Sequence, residues 1–455
     1  MTNTALTSNA PDLETLKKWD RLHQIHPWAA IDSWRGYDNM FVDSADGIYF
    51  WDGAGKRYID GPGGMWCSQI GYGRKEMADA ISDQVIKLPF TSPFTNSTQP
   101  SAILSKKIAD MAPGDLNNVF FTTGGSTAVD TALRTMQYFN NRRGLPEKKM
   151  IIAREKGYHG STYLAHSVTG KERDKSHFDF ATNLVQFLPD VNPYIRPDGM
   201  SIEDWCDAKV EDLREMIKQI GADKTGAFIA EPILSSGGVI VPAKGYQKRT
   251  WEICRENDIL YISDEVVTGF GRLGHWFASE EVFEIIPDMI TCAKGLTSGY
   301  LPLGACIISD RVLEIASQGD EPSAFTNGYT YSAHPVSCAA ALKNIEIFEN
   351  ERILENVRNV SPHFQHRLKD LMKYDIVGDA RGMGLLGCIE CKAEDLEAER
   401  SLGSKIDEAC EELGLLVRPL INMAVFSPPL IITIEQIDEM FDILEAAIIK
   451  VENNL

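Results

Sequence analysis

The sequence predicts an α/β fold: a mostly parallel sheet flanked by helices, with a smaller α+β domain drawn from the two ends of the chain. Three observations predict it. Between residues 115 and 310 short apolar runs alternate with helical patterns, which implies crossover units and parallel strands. Those runs are apolar almost throughout, as strands covered on both faces are. After about residue 330 the texture changes to long helical stretches.

The elements follow in order. "MTNTALTSNAPDLETLKKWD" reads as a short polar tail leading into a helix. It lacks the basic and apolar regions of a secretory leader, so a cytoplasmic location is expected. "GIYFWDGAGKRYIDG" resembles a hairpin with turn glycines. Strands are predicted at "NVFFTT", "KKMIIARE", "GAFIAEP", "ILYISDEV", "DMITCAK" and "LGACIIS". Helices are predicted at "STAVDTALRTMQYFNN", "DAKVEDLREMIKQIG" and "GYQKRTWEICRENDI". From "SAHPV" to "LKDLMK" the pattern is a long helix interrupted near Pro362. "GLLGCIECK" reads as a strand, and without a second pair or a suitably placed histidine its lone Cys388 and Cys391 do not read as a metal or redox site; "TIEQIDEMFDILEAAIIKVEN" reads as a closing helix. The expected division is residues 1–65 joining the small domain, 66–330 as the large domain and 331–455 as the remainder of the small one.

Of 455 residues, 44% are hydrophobic and 24% charged, ordinary values for a globular chain with material for more than one core. No run of apolar residues is long enough to span a bilayer. A net charge of −20 argues against nucleic-acid binding and requires a local cation wherever an anion is held. Nine scattered cysteines fit a reducing compartment.

Polar residues stand where the core strands end. "NVFFTT" runs into Gly124, Gly125 and Ser126, and "KKMIIARE" leads to Tyr158 and His159. Glu231, Asp264 and Lys294 close "GAFIAEP", "ILYISDEV" and "DMITCAK". Ligands of open parallel sheets bind outside the carboxyl ends of the strands, so these residues should converge. Lys294 and Asp264 read plainly as a buried ion pair, a costly and weakly stabilising arrangement. They also read as the pair that pyridoxal phosphate needs, a Schiff-base lysine and a carboxylate at the pyridine nitrogen. The glycine turn opening a helix at Gly125 and Ser126 suits that cofactor's phosphate. Tyr158 would lie over the ring, and Val266, on the same strand face as Asp264, beneath it.

With these residues in place, the chain resembles the class III aminotransferases, pyridoxal-phosphate enzymes of fold type I that include the ω-transaminases. The resemblance rests on "YHGST", "FIAEPI", "ISDEVVTGFGR", "CAKGLTSGYLPLG", "GYTYSAHPV" and "LVRPL", in that order. It implies a seven-stranded sheet, Lys294 as the cofactor lysine and Asp264 as the pyridine partner. It implies cofactor contacts from Gly125, Ser126, Tyr158, His159, Glu231 and Val266. It also implies a homodimer, or dimer of dimers, in which Thr330 reaches the phosphate of the neighbouring subunit. Thr127 and Val129 depart from the family's phosphate loop, and Ser236 stands where ornithine-type enzymes carry a glutamate.

The same resemblance assigns substrate contacts to Arg418, Trp28, Trp66, Tyr158 and Phe94, with Phe94 coming from the partner subunit. Arg418 would hold a carboxylate and move aside for uncharged donors. The implied reaction moves an amino group from an amine or ω-amino acid to a keto acid such as pyruvate, without membrane or nucleic-acid partners. Taurine, β-alanine, diamines and aromatic amines all remain open as donors. Decarboxylation and an aminomutase shift are the alternative reactions, since they use the same lysine and aspartate.

Overall fold

The computed structural model describes residues 11–318 and 322–455. The first ten residues of the predicted polar tail lie outside it. The helix after the tail runs Leu13–His23, its N-terminus capped by the Asp12 side chain, which accepts from the Thr15 N–H at 2.8 Å.

The strands, in chain order, are β1 (Val42–Asp46), β2 (Tyr49–Asp52), β3 (Arg57–Asp60), β4 (Asn118–Thr122), β5 (Met150–Arg154), β6 (Val185–Leu188), β7 (Thr225–Ala230) and β8 (Leu260–Asp264). They continue as β9 (Met289–Cys292), β10 (Gly304–Ile308), β11 (Val377–Met383), β12 (Leu386–Cys391), β13 (Leu415–Leu416), β14 (Arg418–Leu420) and β15 (Met423–Phe426). The central sheet has seven strands in the order β4-β10-β9-β8-β7-β5-β6. β10 runs antiparallel to both neighbours, and every other pairing is parallel. β7, β8, β9 and β10 are buried along their whole length, which is why their sequences lack alternation. Helices cover the sheet, among them Gly125–Arg142, Ile202–Ile220 and Tyr246–Glu256, where three helices were expected.

Two further sheets tie the chain ends together. β2 and β3 form the expected hairpin, and β3 pairs in parallel with β13 from the far end of the sequence. β11, β12, β15 and β14 form the other sheet. The helices Pro335–Asn350, Ile353–Asp370 and Ile434–Glu452 bury their apolar faces in the same core as residues of these sheets.

Two differences from the sequence reading have physical causes. The long helical stretch breaks at Glu351 and Arg352, not at Pro362. Arg352 adopts a left-handed conformation with φ 55°, and the Glu351 carboxylate is gripped by Arg74 at 2.5 and 2.8 Å. Pro362 sits inside the second helix on its exposed face, as does Arg358, whose carbonyl loses its partner to the proline and is left to water. Strand β6 was not expected. Its four residues pair only with β5, at the sheet edge, too short a run to signal itself.

Candidate active site

Six of the seven central strands point the same way, and the polar residues gather at their carboxyl ends. Because β8 and β9 are parallel neighbours with Asp264 level with Thr291, Lys294 follows β9 next to the end of β8. Both oxygens of the Asp264 carboxylate are engaged, and Oδ2, with a single partner, keeps room for one more donor. Its Oδ1 accepts from the Val266 N–H at 3.2 Å and from the Thr291 hydroxyl at 3.0 Å. Its Oδ2 lies 2.6 Å from His159 Nδ1, and both side chains are buried. A histidine after β5 and an aspartate at the end of β8 thus meet across the sheet.

Lys294 is half-buried, and desolvation of its amine pushes the ammonium pKa down, opposed by the negative potential of Cys67, Asp264 and Glu231. Among the described residues, no carboxylate lies within ion-pair distance of it. Its Nζ sits 5.5 Å from the centre of the Trp66 ring. The backbone there is left-handed, φ 34°, a strained conformation that ordinary core positions rarely keep. Trp28 and Trp66 share that property, with φ of 63° and 64°.

The glycine turn opens an eighteen-residue helix at Gly125. The first N–H groups of a helix have no intrahelical acceptor, so those of Gly125 and Ser126 are available to a ligand. Val266 lies against the turn, since a Cβ on Gly125 would meet its Cγ1 at 3.0 Å. The Ser126 hydroxyl accepts from the Ser161 N–H at 3.0 Å, fastening the turn to the Tyr158 segment. Thr127 donates to the Gly124 carbonyl at 2.9 Å and accepts from the Thr123 N–H at 3.2 Å, while Val129 is buried in the core. Both departures therefore serve the loop and its packing.

Tyr158 is held at both ends. Its N–H donates to Glu231 Oε1 at 2.8 Å, and its hydroxyl lies 2.9 Å from Ser161 Oγ. Glu231 is buried, which raises its pKa, and its other oxygen accepts from the Ser235 N–H at 3.3 Å. Glu231 thus acts on backbone. Trp28 meets Tyr158 edge to face at 5.7 Å. Arg418, the first residue of β14, stacks between Trp28 at 5.9 Å and Trp66 at 5.4 Å. Its Nε is buried without a hydrogen-bond partner, as is Trp66 Nε1, and burial lowers the guanidinium pKa.

Phe94 and Thr330 are not brought to this cluster. Both are exposed, Phe94 to 70%, and a Cβ on Gly328 would lie 3.5 Å from the Phe94 ring. Three residues enter the site without a sequence signal. Thr291 orients Asp264, and Cys67 lies in the electrostatic neighbourhood of Lys294. Lys171 places its Nζ 5.5 Å from the centre of the Tyr158 ring. Thr291 is an apolar strand's single hydroxyl, and the other two lie in loops whose direction only the fold sets.

These residues fit pyridoxal phosphate. A desolvated amine with no ion-pair partner among the described residues, a carboxylate pinned by three neighbours, free N–H groups at a helix start and a guanidinium with an unpartnered Nε are what its aldehyde, ring nitrogen and phosphate and a substrate carboxylate require.

Comparison with known proteins agrees. Residues 33–448 match the model of the family described as aminotransferase class-III. A putrescine–pyruvate aminotransferase of Pseudomonas aeruginosa is 38% identical over 93% of this chain and 94% of its own length. Gamma aminobutyrate transaminase 1 of Solanum lycopersicum is 36% identical over 94% of this chain and 84% of its own. An (S)-enantioselective omega-transaminase from Thermomicrobium roseum superposes with a TM-score of 0.92 at 34% identity, covering 97% of this chain and all of that one. The PMP-bound aminotransferase from Vibrio fluvialis gives 0.91 at 33% identity, covering 98% and 99%. A family match over most of the sequence, with relatives alike over nearly their whole lengths, makes this chain a member of the class III aminotransferases, enzymes that transfer amino groups with pyridoxal phosphate.

Proposed function

We propose that the enzyme moves an amino group from an amine or ω-amino acid to a keto acid, with pyruvate as acceptor and alanine as product. The observation that carries this reading is Arg418, a half-buried guanidinium with no carboxylate partner among the described residues and a buried, unpartnered Nε, set between two indoles in the same site as Lys294. A guanidinium grips a carboxylate through two parallel hydrogen bonds. The indole faces offer apolar area to a donor that lacks one. The names of the putrescine–pyruvate and gamma aminobutyrate relatives support the same substrate range.

Bound pyridoxal phosphate supplies a reactive carbonyl and an electron-withdrawing ring. Asp264 would hold the ring nitrogen, its position set by Val266, Thr291 and His159. Gly125 and Ser126 would hold the phosphate, with Thr330 contributed by a second subunit. Tyr158 and Val266 would flank the ring. Lys294 would hold the cofactor when no substrate is bound. Once a bound donor amine takes its place there, its freed amine, discouraged by desolvation from carrying charge, would accept and hold the proton of the substrate carbon at Nζ. Proton transfer by a positioned group is worth roughly 10²–10⁴-fold.

The reading extends to assembly. The exposed Phe90, Phe94 and Tyr331 form an apolar surface beside Thr330, which supports a homodimer whose sites are completed across the interface. The pairing of β3 with β13 supports a small domain made of residues 1–65 and 331–455 around a large domain of 66–330. Nine free cysteines support a cytoplasmic location.

The test is a donor panel with pyruvate, read as alanine formed. We expect alanine from apolar amines and ω-amino acids and none without donor. Release of carbon dioxide, or an isomerised amine without alanine, would replace transamination with decarboxylation or an aminomutase shift.

A further inference from the structure

A cavity of about 580 Å³ lies beside the substrate site, and Lys171 belongs to both. The side chain forms part of the cavity wall, and its Nζ also overhangs the Tyr158 ring. The volume falls in the range of small-molecule sites, which bury most of a ligand's surface. Apolar walls come from Leu420, Met423 and Phe187. Leu420 lies two residues beyond Arg418 on β14, so one strand borders both spaces.

The charges along the cavity differ in how they are satisfied. Three of its four carboxylates, all but Glu172, already have donors. Glu390 pairs with Arg381 at 2.6 Å, Glu399 accepts from Asn422 at 2.9 Å, and Glu155 accepts from the Asp190 N–H at 3.2 Å. Lys171 has only the Ser236 carbonyl, at 2.6 Å. Among the described residues, no carboxylate lies within ion-pair distance of it; Asp174 and Glu231 lend negative potential from farther off, and Arg418 opposes them. An ammonium so placed, two of its three donor positions unused, calls for an anion. A cationic ligand tail would find Glu155, Glu390 and Glu399 engaged and the Lys171 ammonium beside it, leaving Glu172 alone of the lining carboxylates to receive it.

We propose that this cavity is a distal subsite, with Lys171 at its mouth, for the carboxylate tail of an elongated substrate, such as an ω-amino acid with several methylenes between its amine and its carboxylate. The tail's methylenes lie along Leu420 and Met423, and its carboxylate takes the free donors of Lys171. The position of Ser236 is part of the device, because its carbonyl fixes the lysine while its short side chain leaves the mouth open. The proposal rests on the transaminase reading and adds a preference for long, anionic donors.

The test uses the cofactor-loaded enzyme with pyruvate and a donor series: β-alanine, 4-aminobutanoate, 6-aminohexanoate, 8-aminooctanoate and uncharged hexylamine. In the wild type, kcat/KM should rise along the ω-amino acids and exceed the hexylamine value for the longer ones. Lys171→Met should lower the ratio of 6-aminohexanoate to hexylamine by at least about tenfold, the scale of one lost hydrogen bond to a charged group. Lys171→Arg should restore most of that ratio. Leu396→Trp, at an exposed part of the cavity wall, should erase the gain from chain length. A flat length series, or equal losses on charged and uncharged donors in Lys171→Met, overturns the subsite while alanine from hexylamine keeps the transaminase reading intact. No alanine from any donor removes both.

Discussion

Lys294 shows most directly how one residue can carry a function at the expense of stability. A buried amine without a counter-charge destabilises the fold, and a residue exchanged for it should reveal the cost. In the cofactor-free protein we expect Lys294→Met to raise unfolding stability by roughly 1–3 kcal/mol, read by denaturant titration, while abolishing transamination. The pH dependence follows. The folded-state pKa lies below the ordinary lysine value of 10.5, so the unfolded chain binds more protons between those two values. Stability of the cofactor-free wild type should therefore rise with pH across that window, and Lys294→Met should flatten the rise. Borohydride treatment of the loaded enzyme followed by peptide mapping should place the label on Lys294. Arg418→Ala should harm pyruvate use by roughly tenfold or more through KM, the scale of a lost bidentate charge-assisted contact, while an uncharged amine loses far less. Equal losses for both would remove Arg418 from acceptor recognition. The roles expected for Lys294 and Asp264 were legible because a charged residue ending an apolar run is itself a signal. Thr291 and Lys171 carried no such signal, since a threonine in a strand and a lysine in a loop are ordinary in composition.

At the scale of elements, strands buried on both faces announce themselves as unbroken apolar runs, and the six expected ones are all present. The four-residue edge strand β6 escaped because half a face of packing leaves little pattern in so short a segment. Pro362 misled for the opposite reason. Proline forbids one hydrogen bond, but on the exposed face of a helix water replaces the partner, whereas the true break depends on Arg74, far away in sequence. The glycine turn is where element geometry would meet the cofactor's phosphate. Gly304 begins β10 with its Cα against that turn, and a Cβ there would stand 2.5 Å from the Gly124 carbonyl oxygen. Gly304→Ala should displace the phosphate end of the site and weaken pyridoxal phosphate binding by about tenfold or more, measured by fluorescence titration, because misplacing helix-start N–H groups costs charge-assisted hydrogen bonds. Unaltered affinity would mean the turn does not hold the phosphate.

For the whole molecule, the decisive question is what completes the site. Phe94 and Thr330 stand together on the surface of the chain whose own Lys294 they do not touch. If the proposed dimer forms through this surface, Phe94→Arg should split it in size-exclusion chromatography and cut activity even though Lys294, Asp264 and Tyr158 are unchanged within each subunit. A variant that stays dimeric and fully active would separate Phe94 from both interface and site. The class of sheet and the family were readable from the chain alone, which also singled out Lys294 and Asp264 as candidates, because buried strands and charged strand ends are local patterns. Only the tertiary structure decided that His159 and Thr291 pin Asp264, that Arg418 lies unpaired between Trp28 and Trp66, and that Lys171 opens onto a cavity. Those arrangements join residues from separate strands and loops, and their distances depend on how the crossovers stack, which no local pattern encodes.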